Sequence, residues 1–363
     1  MAVKENPEVV ISVENLSVGF VVRGKKTNVI RNISIPVYRG ETLAIVGESG
    51  SGKSVTTKTF TGMLDSNGFI SNGHIYFGGE DLATFTTNAQ WAKIRGKRIA
   101  TIFQDPMTSL NPLLTIGFQI SEVLMLHHGL SKQEAKEEAI RLLEKVKIPN
   151  AADRYNDYPF QYSGGMRQRV VIAIALACRP EVLICDEPTT ALDVTVQAQI
   201  IELIKELQRE YQWTTIFITH DLGVVANVAD RIAVMYGGQV VEYGTVEDVF
   251  YHPEHPYTWA LLCSLPQLGT KDEPLSYIVG NPPSFAGEIV GDAFAPRNDY
   301  AMLIDYVKEP PIFNISPTHW AKTWLLDPRA PKVEKPKVIQ ELHERMKRAA
   351  KELKRQEGGD DNE

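Results

Sequence analysis

The chain has 363 residues, 43% of them hydrophobic and 23% charged, with a formal net charge of −7 and a pI near 5.7. This balance fits a globular protein of one large or two smaller domains and gives no electrostatic reason to expect nucleic acid as the main partner. Three scattered cysteines (Cys178, Cys185, Cys263) exclude a disulfide framework, and MAVKENPEVV lacks the basic and apolar blocks of a signal peptide.

In chain order, residues 9–46 group apolar positions around turn signals: VVISVENLSVGF, NVIRNISIPV, then ETLAIVG. These read as short strands feeding a central one. GHIYFGG at 73–79 reads as a further strand. SKQEAKEEAIRLLEKVK at 131–147 predicts a helix, with Ser131 and Glu134 as a capping box and Ile140, Leu143 and Val146 on one face. The apolar run VVIAIALAC at 170–178 is about half of what a bilayer crossing needs. The expectation is a cytoplasmic protein that touches a membrane only through another protein.

VLICDE at 182–187 has no polar alternation, as a strand buried on both faces requires. Asp193 is placed to cap a helix running to about Gln212, with Ile200, Leu203, Ile204 and Leu207 inward. TTIFITH at 214–220 reads as a strand, and RIAVMYGGQVVEYG as a hairpin. Alternating strands and helices imply an α/β core with a mostly parallel sheet. Beyond 265 proline becomes frequent and periodicity fades; from 332 the chain is almost wholly charged and reads as a solvated helix or frayed tail.

Gly47-Glu48-Ser49-Gly50-Ser51-Gly52-Lys53-Ser54 fits G-x-x-x-x-G-K-[ST], after the strand TLAIV and before a helix start. Its glycines let backbone N–H groups turn towards phosphate oxygens; Lys53 can reach the β- and γ-phosphates, and the Ser54 hydroxyl can bind Mg²⁺. The chain is expected to bind a nucleoside triphosphate. Such a loop serves kinases, GTPases and transport ATPases alike. Asp186 and Glu187 narrow the choice: at a parallel strand's C-terminal end, Asp186 can hold Mg²⁺ through water and Glu187 can polarise an attacking water. Two adjacent acids favour hydrolysis over transfer to a hydroxyl. A second anion-binding helix start lies in YSGGMRQRV, where Ser163, Gly164 and Gly165 lead into an apolar helix.

YSGGMRQR resembles the signature sequence of the ATP-binding cassette (ABC) ATPases, with Tyr162 and Met166 where leucine and glutamine are commoner. The other landmarks follow in the family's order: Gln104 in TIFQDP resembles the loop glutamine that senses Mg²⁺ and faces the membrane subunit. Ala191-Leu192-Asp193 is similar to the D-loop, His220 to the switch histidine near the γ-phosphate, and Phe20 to the aromatic residue that stacks on adenine. The resemblance implies a P-loop fold with a mostly parallel core sheet, an antiparallel β subdomain, a helical signature subdomain at about 105–166 and a C-terminal extension. It also implies head-to-tail pairing, in which Ser163, Gly164 and Gly165 of one cassette meet the γ-phosphate held by the partner's phosphate loop.

GESGSGKS, FQDPMTSLNP, CDEPTTALDVTVQAQI, HDLGVVA, YHPEHPYTWALLCSLP, GNPPS and GDAFAPR resemble the ATPases of oligopeptide, dipeptide and nickel importers. The divisions this implies are a cassette at 1–265, an extension at 266–331 and a charged tail at 332–363. Many members carry four cysteines in that extension. Asp292, Asn298, Asp305 and Thr323 stand at the corresponding positions here, so no iron–sulfur cluster is expected. The oxygen donors leave a hard metal as an alternative to local hydrogen bonding with packing of Phe294, Tyr300 and Trp324. The implied partners are a second ABC ATPase (a sister chain or a copy of this one), two membrane permeases and, indirectly, an external solute-binding protein. ATP and Mg²⁺ are the implied cofactors, and peptide the implied solute, with oligosaccharide or nickel as alternatives. A soluble ABC protein acting on DNA or ribosomes would need long coiled coils or two cassettes in one chain, and neither is present. The extension and these motifs disfavour an exporter.

Overall fold

A computed structural model describes residues 7–190, 192–265, 278–285, 287 and 289–342. The first strands are longer than the sequence suggests. β1 (Val9–Val22) and β2 (Lys25–Tyr38) have 14 residues each and pair antiparallel, so their alternating apolar residues build a sheet of their own. β3 (Thr42–Val46) leaves that sheet and becomes a central strand of the second one. β4 (Gly68–Phe77) and β5 (Glu80–Asp81) complete the four-stranded antiparallel sheet in the order β2-β1-β4-β5.

The second sheet adds β6 (Ile99–Ile102), β7 (Val182–Asp186), β8 (Thr214–Thr219), β9 (Arg231–Tyr236), β10 (Gln239–Thr245), β11 (Phe313–Asn314) and β12 (Trp320–Ala321). Its order is β11-β12-β10-β9-β3-β8-β7-β6. Strands β9, β3, β8, β7 and β6 run parallel, and β10, β12 and β11 extend the sheet antiparallel. The β9–β10 hairpin turns on Gly237 and Gly238, both with positive φ (52° and 78°), as a two-residue turn between right-twisted strands demands.

Every residue of β3 is buried, and the pleat divides them between two cores. Leu43 and Ile45 face the antiparallel sheet, whereas Ala44 and Val46 face a core shared with Tyr257, Trp259 and Phe294. β7 divides in the same way: Val182 and Ile184 join the inter-sheet core, and Leu183 and Cys185 pack against the helical region. That region contains helices Ile116–His128, Lys132–Lys145 and Gly164–Ala177. The capping box of Ser131 and Glu134 forms as expected. On that helix Leu143 is fully buried, with Val146 at its end, while Ile140 is half-buried against the same core. Asp193 caps helix Val194–Tyr211, accepting from the Val196 N–H at 3.0 Å, and Ile200, Leu203, Ile204 and Leu207 are its buried residues.

The C-terminal region is tied in more closely than its fading periodicity suggests. β12 hydrogen-bonds to β10, and Phe294 packs edge-on against Tyr236 and Tyr257, with ring centroids 5.1 and 5.3 Å apart. Tyr300 packs on Trp259, and the Trp324 indole N–H donates to the Lys308 carbonyl at 2.9 Å. The expectation of a solvated tail from 332 needs correction. Ile339, in the short helix Lys337–Gln340, and Leu342, two residues beyond it, are buried in the core that holds Tyr257 and Phe294, because burying their apolar side chains outweighs the charge around them. The expected segments at 266–277 and 343–363 lie outside the described residues, as does Ala191.

Candidate functional site

Four strands of the parallel sheet deliver chemistry at their C-terminal ends, where open α/β sheets bind ligands. β3 leads into the loop Gly47–Ser54, β6 into Gln104, β7 into Asp186 and Glu187, and β8 into His220. The loop ends in helix Lys53–Phe60, whose unpaired N–H groups face the same edge. Gly47 is required by space as well as by conformation. Its φ is +151°, and a Cβ there would lie 2.1 Å from the Met235 carbonyl oxygen.

A cavity of about 710 Å³ opens over the loop, lined by Ser49, Gly50, Gly52, Lys53 and Ser54, with Gln104, Glu187, Thr190 and His220 opposite. Lys53 is 5% exposed and donates to the carbonyls of Gly47 and Glu48 at 2.8 and 3.0 Å. Burial lowers its pKa, opposed by the nearby Glu187, Asp186 and Glu48 carboxylates. Burial likewise raises the pKa of Asp186, while a hydrogen bond from the Ser54 hydroxyl to its Oδ1 at 2.9 Å pulls the other way.

Glu187 adopts a positive φ of 46°, uncommon for a side chain of this size and characteristic of sites that hold a residue in place. Its Oε2 accepts from Gln104 Nε2 at 3.1 Å and from the Thr190 hydroxyl at 3.0 Å, and its Oε1 lies 3.5 Å from His220 Nδ1. A carboxylate, an amide, an imidazole and a buried ammonium therefore line one cavity, a set of groups that suits water attack on an anhydride. Ser54, Asp186 and Gln104 offer oxygen donors of the kind Mg²⁺ takes.

The second glycine-rich helix start does not join this cavity. Ser163 caps helix Gly164–Ala177, accepting from the Met166 N–H at 3.3 Å. A Cβ on Gly165 would lie 2.7 Å from Val196 Cγ1, so the signature start packs against the start of the Asp193-capped helix. Ser163, Gly164, Gly165 and Asp193 are absent from the cavity lining. So is Phe20, whose position in β1 pairs it with Thr27 and Gly68 and leaves its ring against the antiparallel sheet. Gly47, Glu48 and Ser51 back the loop rather than face the cavity. Thr190, Tyr257, Phe285 and Arg297 were not singled out by sequence. Thr190 adjoins the acidic pair, but Tyr257, Phe285 and Arg297 reach the loop only through the fold.

The description "ABC transporter" matches residues 30–190. The oligopeptide transport ATP-binding protein AmiE of Streptococcus pneumoniae is 62% identical over 93% of this chain and 96% of its own length. The chain belongs to the ABC transporter ATP-binding family. It is an ABC ATPase, and ATP hydrolysis coupled to transport is its activity. A second description, "Oligopeptide/dipeptide transporter, C-terminal region", matches residues 241–304, beginning upstream of the boundary expected at 265. OppD of Bacillus subtilis, an oligopeptide transport ATP-binding protein, is 54% identical over 91% of this chain and 92% of its own. The cassette fold is shared with a dimeric post-hydrolysis structure of the ATP-binding cassette MJ0796 bound to ADP and Pi. The TM-score is 0.58 at 27% identity, covering 65% of this chain and 98% of that one. CbiO1 of Clostridium perfringens, part of an ABC transporter complex, has the same TM-score at 29% identity, covering 67% of this chain and 91% of its own.

The four positions where many relatives were expected to carry cysteines are occupied by side chains that close local turns. Asp292 Oδ1 accepts from the Phe294 N–H at 2.9 Å and Asn298 Oδ1 from the Tyr300 N–H at 3.0 Å. Asp305 Oδ2 accepts from the Met302 N–H at 2.7 Å and Thr323 Oγ1 from the Leu325 N–H at 3.3 Å. Burial pushes Asp292 up to about 6. No helix among the described residues is long and apolar enough to cross a membrane.

Proposed function

We propose that this ABC ATPase powers a peptide importer, with Glu187 as general base and His220 beside it near the γ-phosphate. Lys53 and the N–H groups of the loop from Gly47 to Ser54 would hold the phosphates. Ser54, Gln104 and Asp186 would hold Mg²⁺, which would help neutralise the negative charge of the phosphates. The carrying observation is the convergence of Lys53, Gln104, Glu187 and His220 on one cavity that Ser163, Gly164 and Gly165 do not reach. A missing set of anion donors on an exposed helix start supports a composite site, in which the partner cassette's signature closes over this chain's loop and Asp193 lies near the seam. The partner is a second ABC ATPase, either a sister chain or a second copy.

An apolar groove of about 340 Å³ beside Gln104, lined by Met63, Phe103, Ile174 and Cys178, supports docking of the two permeases on this face. That docking would place the chain on the cytoplasmic side of the membrane. The external binding protein would act only through the permeases. We propose a division into cassette (1–265), extension (266–331) and tail (332–363), the tail's first part packed into the core through Ile339 and Leu342, with the extension folded by hydrogen bonds and aromatic packing and carrying no iron–sulfur cluster. The high similarity to oligopeptide and dipeptide transport proteins along nearly the whole chain favours peptides as the solute. Uptake of a labelled oligopeptide tests this in cells lacking the subunit. Uptake should be lost, return with the wild-type chain and not return with Glu187→Gln. Undiminished peptide uptake without the subunit would refute the assignment.

A further inference from the structure

The second residue of the phosphate loop is held by the far end of the chain. Glu48 turns its carboxylate away from the nucleotide cavity and towards Arg297. Arg297 Nη1 donates to Glu48 Oε2 at 2.6 Å, and Nη2 donates to Oε1 at 2.9 Å. The Arg297 side chain is only 5% exposed. It also donates to the Tyr236 hydroxyl at 3.1 Å, to the Val279 carbonyl at 3.0 Å and to the Ile278 carbonyl at 3.2 Å. The Glu48 N–H donates to the Tyr257 hydroxyl at 2.8 Å. Both the side chain and the backbone of this loop residue are therefore tied to groups more than two hundred positions away. The segment held by Arg297 also brings Pro282, Pro283 and Phe285 against Ser49, Gly50 and Ser51, and Phe285 reaches the wall of the nucleotide cavity.

A two-pronged guanidinium–carboxylate pair fixes orientation as well as separation, and burial removes the solvent that would compete for it. A phosphate loop must order its backbone to present its N–H groups, and each residue that is ordered in advance lowers what binding must supply. Lys53 Nζ donates to the Glu48 carbonyl, so a shift at Glu48 is also felt by the ammonium that meets the phosphates. We propose that Arg297 is a positioning residue for ATP: acting through Glu48, it holds the phosphate loop in its binding shape, so the C-terminal region sets the nucleotide affinity of the cassette. This rests on the loop being the ATP site.

The test is calorimetric titration of the full-length chain with ATP and Mg²⁺, comparing wild type, Arg297→Ala, Arg297→Lys, Glu48→Gln and the double variant Glu48→Gln/Arg297→Ala. Arg297→Ala and Glu48→Gln should each raise Kd about tenfold. The double variant should be no worse than either single one, and lysine, which cannot bridge both oxygens, should restore only part of the loss. Thermal melts without nucleotide accompany each titration. A pair that only docked the extension would lower the melting temperature and leave Kd unmoved, and that result would overturn the proposal. If Arg297→Ala does not fold, Arg297→Lys and Glu48→Gln carry the comparison. Wild-type chain that failed to bind ATP would instead sink the reading of the loop, whereas tight wild-type binding with unaltered variants sinks only the role of Arg297.

Discussion

Glu187→Gln separates chemistry from binding. The wild-type carboxylate accepts two hydrogen bonds at its Oε2, from Gln104 and Thr190, and glutamine keeps one carbonyl oxygen able to take both. Losing the charge-assisted part of those contacts costs about 1 kcal/mol of local stability. The proposed phosphate contacts are those of Lys53 and the loop, and Lys53 loses only one of three nearby carboxylates. ATP affinity should therefore stay within about threefold of wild type. Removing the proton acceptor should lower turnover by about 10²- to 10⁴-fold, or about 3–5 kcal/mol of barrier. Phosphate release at saturating ATP and Mg²⁺ gives turnover, and titration of the same preparation gives affinity. Turnover within about threefold of wild type would remove Glu187 as the base and the hydrolytic reading of the acidic pair with it.

Three further perturbations probe the framework. Gly47→Ala puts a methyl group 2.1 Å from the Met235 carbonyl at a φ of +151°; backbone strain of about 1–3 kcal/mol should weaken ATP binding by about five- to 150-fold, and unchanged affinity would contradict this account of the loop. Phe294→Ala removes a ring that is 2% exposed and packed on Tyr236 and Tyr257, so urea denaturation should show a loss of about 4 kcal/mol. A loss below about 1 kcal/mol would mean that the extension is not part of the core. His255 is fully buried; burial, with the charge of Lys322 adding to it, pushes its pKa down to about 3, and its Nδ1 accepts from the Tyr257 N–H. An unfolded chain binds a proton there below about pH 6.5 and the folded chain does not, so the stability present above that pH falls as the pH drops towards about 3. His255→Asn keeps a capping acceptor without titrating. The stability of wild type relative to this variant should fall by about 2 kcal/mol between pH 8 and pH 5, and a constant difference would contradict burial of the neutral ring.

Local signals carried much of the architecture. The G-x-x-x-x-G-K-S loop, the unbroken apolar strand before Asp186, the capping box at Ser131 and the amphipathic helix after Asp193 each state their own structure, because the interactions that make them span a few residues. The length of β1 and β2 was less legible, since their register depends on pairing with each other and with β4. Arg297 and Tyr257 were illegible as loop partners. No periodicity or motif links them to Glu48, and only the addition of β12 to the sheet and the packing of Phe294 bring that region under the loop. Burial of Ile339 and Leu342 was hidden for a related reason: two apolar residues among many charges give too weak a pattern to stand out.

The signature residues Ser163, Gly164 and Gly165 lie outside the cavity lined by Lys53, Gln104, Glu187 and His220, and the proposed composite site holds that a single chain offers half of the machinery. The direct measurement is ATP turnover per chain across a dilution series, with the monomer fraction read by light scattering at each point. Turnover should fall towards zero as the monomer fraction approaches one, and recover when the partner cassette is supplied. Full turnover by a strictly monomeric chain would contradict the composite site.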